Sequence, residues 1–199
     1  MVSFPKKELR KEAKTMFKRV ENELEFAMFN GIWTTVWNEK GFEFEFSEVF
    51  LERYVVVTEE GHYVGSIEIK PYTEESSMNE IGPFQEHPLI QAEMGHIAEI
   101  DKLAILSTFR GQYVTELLSA IVHYAEMNQI SYYAMLLEPV LMRALRISYH
   151  VPIQKVGGRV FYKGEDVIPS IVNAREVYMN KERFTWLVDP RHNVIKKHK

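Results

Sequence analysis

One short stretch, AEIDKLAILSTFRGQYVTELL at residues 98–118, combines charged side chains, a strand-like pattern and an arginine–glycine turn. Glu99, Asp101 and Lys102 stand among apolar residues, and a carboxylate on a rigid strand can act as a general base. The strand ends at Arg110-Gly111, where an amphipathic helix begins at once. The free N–H groups and the dipole of a helix N-terminus favour anions such as phosphate. The stretch therefore indicates proton transfer beside a phosphate-bearing ligand.

A structural explanation of the same charges stays open, in which Glu99 forms an ion pair with Lys102 or Arg53. Strand alternation predicts two faces, and neither of them is purely apolar. One face carries Ile97, Glu99, Asp101, Leu103 and Ile105, and the other carries Ala98, Ile100, Lys102, Ala104 and Leu106. We therefore predict that Glu99 lies partly buried at the mouth of a cleft, where desolvation raises its pKa.

The remaining sequence predicts the elements that position this stretch. Apolar residues at helical spacing predict a helix over 5–28, ended by Asn30-Gly31, and RYVVVTEEGHYVGSIEIKPY predicts a hairpin. A long loop should follow over 71–96. Further elements are expected as a strand at 97–106, a helix at 112–127, a strand at 131–139, a helix at 139–149 that begins at Pro139, strands at 153–163 and 166–172, and a helix at 173–187. This order predicts one α/β (α+β) domain over 1–199, with a mixed sheet covered on both faces.

Composition excludes several classes of function. The 199 residues are 46% hydrophobic and 26% charged, which is typical of a globular domain, and the net charge of −4 argues against nucleic acid as a partner. Cysteine is absent, and the seven histidines show no metal-ligand spacing, so no metal site is expected. No apolar run is long enough for membrane insertion, and the charged N-terminus does not resemble a signal peptide. We therefore expect a cytoplasmic protein.

The order of elements and the segment FRGQYVTELL resemble the GNAT acyltransferase superfamily, which has a mostly antiparallel sheet. In that superfamily the turn after the fourth strand binds the pyrophosphate of coenzyme A or of a pantetheine carrier. Two residues, Tyr113 and Thr115, stand where the family pattern has glycine. The resemblance implies contacts with the donor from Leu103, Ile105, Arg110, Gly111, Gln112, Tyr113, Val114 and Thr115.

A narrower resemblance links AEIDKLAI to acyl-homoserine-lactone synthases and long-chain N-acyl amino acid synthases, with Glu99 at the family's glutamate and Lys102 replacing its arginine. These relatives carry an arginine on the third strand, where this chain has Glu68. The C-terminal half is similar to acyltransferases grouped with exosortase systems. The matching residues are Glu138, Pro139, Leu141, Arg143, Leu145, Val156, Gly157, Tyr162, Gly164 and Pro169, and an acidic triplet also matches at Glu43, Glu45 and Glu48.

The resemblance implies roles for individual residues. Glu99 would accept the proton of the acceptor amine, and Tyr149 would protonate the leaving thiolate. The amine site would include Glu45, Glu48 and Lys102, and three aromatic residues, Trp33, Phe161 and Tyr162, would wall the acyl or amine pocket. Core packing for the aromatic residues and a solvated edge for the acidic ones stay open as alternatives.

Three functions are compatible with the sequence. The first is an N-acyltransferase that moves an acyl group from acyl-coenzyme A or an acyl carrier protein to a small amine such as an amino acid. The second is a plain acetyltransferase that uses acetyl-coenzyme A. The third is a non-catalytic module that senses acyl groups or coenzyme A on the same fold. A homodimer is left open, and a V-shaped opening between the strands at 97–106 and 131–138 is expected.

Overall fold

The strands form a mixed sheet in this computed structural model, which describes residues 16–188. The sheet order is β1-β2-β3-β4-β5-β8-β6, with β7 paired to β8. The bounds are β1 Met16–Arg19, α1 Glu23–Lys40, β2 Glu52–Val57, β3 Tyr63–Pro71, α2 Pro88–Ala92, β4 Ile97–Ile105, α3 Val114–Asn128, β5 Tyr132–Leu137, α4 Pro139–Ser148, β6 Ile153–Lys155, β7 Val160–Tyr162, β8 Glu165–Asn173 and α5 Ala174–Met179.

Neighbouring strands run antiparallel except for β4 and β5, which are parallel. Helix α1 packs on one face of the sheet against Val55 and Val57, and α3 packs on the other against Val56 and Ile67. This alternation along β2 is what a strand buried on both faces requires. The predicted α+β class with a mixed, mostly antiparallel sheet is confirmed. Within residues 16–188, no helix combines the length and apolar character needed to cross a membrane.

The prediction of an N-terminal helix over 5–28 is wrong for Met16–Arg19 and holds for residues 23–28, where α1 begins. Residues Met16–Arg19 form β1, which pairs with β2, and residues 5–15 lie outside the described residues. Helix α1 begins after Asn22, whose side chain accepts a hydrogen bond from the Glu25 N–H at 2.9 Å. It continues through Asn30-Gly31 and ends at Gly41, where φ is +74°. Gly31 does not break the helix because packing of its apolar face outweighs the propensity cost of one glycine.

The other elements lie close to their predictions, with three differences. The loop over 71–96 contains the short helix α2, and the C-terminal helix is shorter than predicted because α5 ends at Met179. The single strand predicted over 153–163 is divided into β6 and β7. The hairpin, the strands β4 and β5, the helices α3 and α4, and the start of α4 at Pro139 are confirmed.

A β-bulge at Lys102 overturns the predicted faces of β4. Lys102 has φ +47°, and the pairing of β3 with β4 shifts register between Ser66 and Glu68. Beyond the bulge, Leu103 and Ile105 pack on the same side as Ala98 and Ile100, the side that α3 covers. The α3 face of β4 is therefore continuously apolar, and the charges of the strand collect on its other face. A bulge inserts one extra residue, so every later side chain changes face.

Strands β4 and β5 separate after a short parallel ladder. They pair from Ile97 with Tyr132 to Glu99 with Ala134, and no pairing between them continues beyond that point. Both strands run on, β4 to Ile105 and β5 to Leu137. The V-shaped opening expected from the sequence is therefore present.

A buried ion network joins β2, β3 and β4 beside this opening. The Glu68 side chain is 0% exposed and accepts hydrogen bonds from Arg53 Nε at 2.6 Å and Lys102 Nζ at 2.5 Å. Arg53 lies directly opposite Glu68 in the β2–β3 register. Ser47 donates to the same carboxylate and accepts a hydrogen bond from Lys102 Nζ at 2.7 Å. Because the carboxylate bridges two cations, it fixes the bulged residue Lys102 against the neighbouring strands.

Replacing Glu68 should destabilise the fold strongly. Glu68→Gln leaves two buried cations beside a neutral amide, so we expect the free energy of unfolding to fall by about 3–5 kcal/mol. Urea unfolding followed by circular dichroism measures this change. The matched control is Glu126→Gln, which breaks the exposed pair with Lys181 and should cost about 0–1 kcal/mol. Equal effects of the two substitutions would contradict a central role for the network.

Candidate active site

The opening between β4 and β5 is a cleft with a volume of about 160 Å³. Its apolar walls come from the separated halves of the two strands and from α4, through Ile100, Leu103, Met135, Leu137 and Leu141. Residues 42–45, residues 77–81 of the long loop, and the β7–β8 hairpin supply the remaining walls. The sequence therefore places an apolar pocket where the sheet has lost its hydrogen bonding.

Glu99 lies in this cleft, at the last position of β4 that pairs with β5. It is 4% exposed, so it is more deeply buried than predicted. Burial raises the pKa of the Glu99 carboxyl, and Asp101 adds to the rise, whereas a hydrogen bond from Ser76 and the charge of Lys70 act in the opposite direction. The predicted ion-pair partners are wrong, because Lys102 and Arg53 bind Glu68 and the cation near Glu99 is Lys70, at 3.6 Å.

Lys102 also lines the cleft, although its side chain is almost fully buried. Its backbone N–H donates to Asp101 Oδ1 at 2.7 Å, and its Nζ lies 3.3 Å from Asp101 Oδ2. The lysine is therefore held by two carboxylates, those of Glu68 and Asp101.

The acidic triplet divides between two faces of its segment. Glu43 and Glu45 line the cleft, and Glu45 forms an ion pair with Lys163. The prediction that Glu45 or Glu48 shares a cleft with Glu99 is thus confirmed through Glu45. Glu48 is exposed and is not a wall of the cleft. In extended chain, residues two apart share a face and residues three apart do not, which separates Glu48 from Glu45.

Of the three predicted aromatic walls, Trp33 and Phe161 are wrong and Tyr162 lies in the cleft. Trp33 is fully buried in the α1 core, where the rings of Phe44 and Phe46 pack edge-on against it at centroid distances of 5.7 and 5.0 Å. Phe161 is 72% exposed, whereas its neighbour Tyr162 lines the cleft. Strand alternation explains why Phe161 is exposed and Tyr162 is not, since adjacent residues of β7 point to opposite faces.

Tyr149 does not lie with Glu99. It follows the last turn of α4, and its ring packs edge-on against Trp186 at 6.4 Å. The tyrosine that lines the cleft is Tyr162, and burial raises its pKa, as do the nearby carboxylates of Asp101 and Glu43. The structure therefore does not support the predicted position of Tyr149 beside the reacting groups.

The turn before α3 is only partly available to an anion. Two of its N–H groups bond within the turn, from Arg110 to Ser107 O at 3.4 Å and from Gln112 to Phe109 O at 3.1 Å. Two of the N–H groups expected to favour a phosphate therefore already have acceptors within the protein. Helix α3 begins at Val114, and no described side chain caps this end.

The side chains of the turn have partners of their own. The Arg110 guanidinium lies 3.4 Å from Glu39 Oε2, and Gly111 has φ +79°. The Tyr113 ring packs on Phe109 at 5.8 Å. Of the residues expected to contact a donor, Leu103 is the one that lines the cleft; Ile105 packs toward α3, and residues 110–115 are not part of the cleft wall.

Two lysines of the site, Lys70 and Lys163, were not predicted from the sequence. Lys70 lies opposite Glu99 in the β3–β4 register, so a correct pairing of the two strands identifies it. No local pattern identifies Lys163, because its contact with Glu45 joins distant parts of the chain.

A mixed sheet that opens between a bulged strand and its parallel neighbour, next to a helix N-terminus, defines an acyltransferase-like class of fold. The chain belongs to the acetyltransferase (GNAT) family, whose sequence model matches residues 18–145. No curated protein matches the chain in sequence.

Solved structures show the same fold at low sequence identity. The N-acyl amino acid synthase FeeM from uncultured soil microbes is 15% identical, with a TM-score of 0.65 over 82% of this chain and 93% of that chain. The coenzyme A-dependent acyl-homoserine lactone synthase BjaI is 14% identical, with a TM-score of 0.63 over 88% of this chain and 93% of that chain. A putative N-acetyltransferase from Lactobacillus plantarum is 14% identical, with a TM-score of 0.57 over 81% and 98%. The architecture expected from the sequence resemblance is confirmed.

The buried carboxylate should make stability depend on pH. The folded-state pKa of Glu99 is raised, so the folded protein binds a proton more tightly than the unfolded chain, and the contribution of Glu99 to stability falls as pH rises above about 4.5. Glu99→Gln lacks this loss. The difference in unfolding free energy between the variant and the wild type should therefore grow in favour of the variant between pH 4 and pH 8.

Urea unfolding at each pH measures this difference. Glu48→Gln, which replaces an exposed carboxylate outside the cleft, is the matched control for the loss of one negative charge. A difference for Glu99→Gln that stays constant or shrinks with pH would show that the carboxylate is not desolvated.

Proposed function

We propose that the protein transfers an acyl group from a thioester to a primary amine in the cleft between β4 and β5. The observation that carries the proposal is the buried Glu99 carboxylate, which lies in the cleft at the point where the two strands separate. Burial raises the pKa of a carboxyl group, and a carboxylate with a raised pKa is a stronger base than an exposed one. It is therefore better suited to accept a proton from the amine.

The proposed donor is acyl-coenzyme A or an acyl carrier protein. Beyond Glu99, the edge of β4 that faces the cleft has lost its ladder with β5, so backbone groups near Leu103 and Ile105 can bind the amide groups of a pantetheine arm. The N-terminus of α3 lies further along the same chain and suits the phosphates. Arg110 would then exchange its exposed partner Glu39 for a phosphate.

The proposed reaction balances with two proton transfers. The neutral amine attacks the thioester carbonyl carbon, a C–N bond forms and the C–S bond breaks. Glu99 accepts the proton that the amine nitrogen loses, and the departing thiolate takes up a proton. Tyr162, the tyrosine that lines the cleft, takes the role that the sequence had predicted for Tyr149. The products are an N-acyl amide and a free thiol.

The apolar walls of the cleft favour an acyl group longer than acetyl. Nine aliphatic or thioether side chains line it, namely Met78, Ile81, Ile100, Leu103, Met135, Leu136, Leu137, Leu141 and Val167. Each buried methylene contributes about 0.8 kcal/mol of binding. Acetyl transfer is the second candidate, and the acetyltransferase family model favours it. A series of acyl-coenzyme A donors from C2 to C10 separates the two, since kcat/KM rises with chain length in the first case and is highest at C2 in the second.

A binding module without catalysis is the candidate from another class. It is favoured by the turn before α3, where Arg110 and two backbone N–H groups already have partners. Mass spectrometry of the products formed from purified protein, donor and amine distinguishes such a binding module from an acyltransferase. A module of this kind retains the thioester and forms no amide.

Removing the proposed base should lower turnover. Glu99→Gln preserves the shape of the side chain and abolishes its basicity, so we expect kcat to fall by roughly 10²–10⁴-fold with donor affinity nearly unchanged. Thiol release measures kcat, and calorimetric titration measures donor binding. Full turnover in this variant would exclude Glu99 as the base, and Glu45 would then be the next residue to test.

The two tyrosines give a matched pair for the proposed acid. Tyr162→Phe should lower kcat by roughly 10²-fold, because it removes a proton donor within the cleft. Tyr149→Phe should leave kcat within about twofold, because that hydroxyl lies outside the cleft. The same thiol-release assay measures both, and a larger effect for Tyr149→Phe would reverse the assignment.

A further inference from the structure

The charges in the cleft are strongly unbalanced. Three lysines line it, Lys70, Lys102 and Lys163, and no described arginine does. The acidic walls are twice as many: Glu43, Glu45, Glu99, Asp101, Glu138 and Glu165. A cleft that bound the carboxylate of its substrate would be expected to hold a free cation for it.

None of the three lysines is free to bind a substrate anion. Lys102 lies 2.5 Å from Glu68 and 3.3 Å from Asp101, and it is 3% exposed. Lys70 lies 3.6 Å from Glu99 and 3.7 Å from Asp101, so it is shared between two carboxylates. Each cation is therefore neutralised by groups of the protein itself.

The third lysine, Lys163, is also paired. Its partner is Glu45, which together with Glu43 and Glu165 forms what we call the rim of the cleft. Glu43 adds a second favourable charge beside the lysine. Glu43 and Glu165 themselves have no ion-pair partner within 4 Å among the described residues. The rim thus carries two carboxylates that are available to a substrate cation.

A tight backbone contact holds the segment that carries Glu43 against the β7–β8 turn, next to Glu165. Glu43 N–H donates to Lys163 O at 3.3 Å. Gly164 has φ +103°, and a Cβ placed there would lie 2.6 Å from Gly41 O. Tyr162, which precedes this contact, lines the cleft together with Glu43, Glu99 and Asp101. The carboxylates of the rim and of β4 therefore line one shared space.

We infer that the acceptor is a cationic amine without a carboxylate, of the alkyl diamine or polyamine class. This inference rests on the proposed function and names the substrate class of that same cleft. One amine of the acceptor, deprotonated, attacks the thioester near Glu99. The second remains an ammonium ion and lies between the rim carboxylates of Glu43 and Glu165. An α-amino acid is disfavoured because its carboxylate would enter an acidic cleft that offers it no free cation.

Three acceptors of equal chain length test this inference. Cadaverine carries two amines, pentylamine lacks the second one, and lysine is cadaverine with an added carboxylate. With a C8 acyl-coenzyme A donor, we expect kcat/KM for cadaverine to exceed that for lysine by about 100-fold or more. The reason is that the carboxylates of the cleft repel the carboxylate of lysine. Lysine methyl ester, whose carboxylate is masked, should recover most of this loss. Pentylamine should lie between cadaverine and lysine.

A double variant tests the role of the rim. Glu43→Gln with Glu165→Gln should lower the cadaverine-to-pentylamine ratio of kcat/KM by about 10-fold, because the second ammonium loses its counter-charges. Glu182→Gln, which removes an exposed carboxylate outside the cleft, is the matched control and should leave the ratio unchanged. Both substituted rim residues are at least partly exposed, so the fold should tolerate them.

The outcomes separate the inference from the proposed function. Transfer to lysine at a rate equal to or above that for cadaverine would overturn the inference and leave the acyltransferase proposal standing. An unchanged cadaverine-to-pentylamine ratio in the double variant would also overturn it. Failure of every amine to accept an acyl group from any thioester would overturn the proposed function, and the inference with it.

Discussion

The buried Glu68 carboxylate is the interaction on which the site depends. It binds Arg53 from β2 and Lys102 from β4 with hydrogen bonds of 2.6 and 2.5 Å, so three strands are tied together inside the sheet. Lys102 occupies a left-handed backbone conformation that is costly for a residue with a side chain. The ion network stabilises that conformation, and the bulge in turn decides which side chains of β4 face the cleft.

The cleft exists because β4 and β5 pair over only part of their length. The parallel ladder between β4 and β5 stops at Glu99, and two apolar strand halves then face each other across an open space. Glu99 lies at the boundary between the paired and the separated chain. Its carboxylate is therefore buried and yet lines the cleft. Neither a fully paired strand nor a loop provides this combination.

Much of the fold could be predicted from the sequence, since the hairpin, β4, α3, β5 and α4 all have strong local patterns. The N-terminal region could not, because Met16–Arg19 forms a strand only by pairing with β2, a non-local interaction. The faces of β4 were mispredicted for a related reason: one residue in a left-handed conformation at Lys102 inverts the alternation, and no residue type marks it. Glu99 and Glu45 were placed correctly in one cleft, whereas Tyr149 and Phe161 were not, because their orientation depends on tertiary packing.

The contact between Gly164 and Gly41 has a consequence for how the cleft comes into being. Glu45 and Lys163, which meet beside this contact, are 118 positions apart in the chain. Closing a loop of this length costs conformational entropy, so we expect the α1 end and the β7–β8 turn to dock after the central strands have paired. A chain that ends before β7 lacks the wall of the cleft that Tyr162, Lys163 and Glu165 supply.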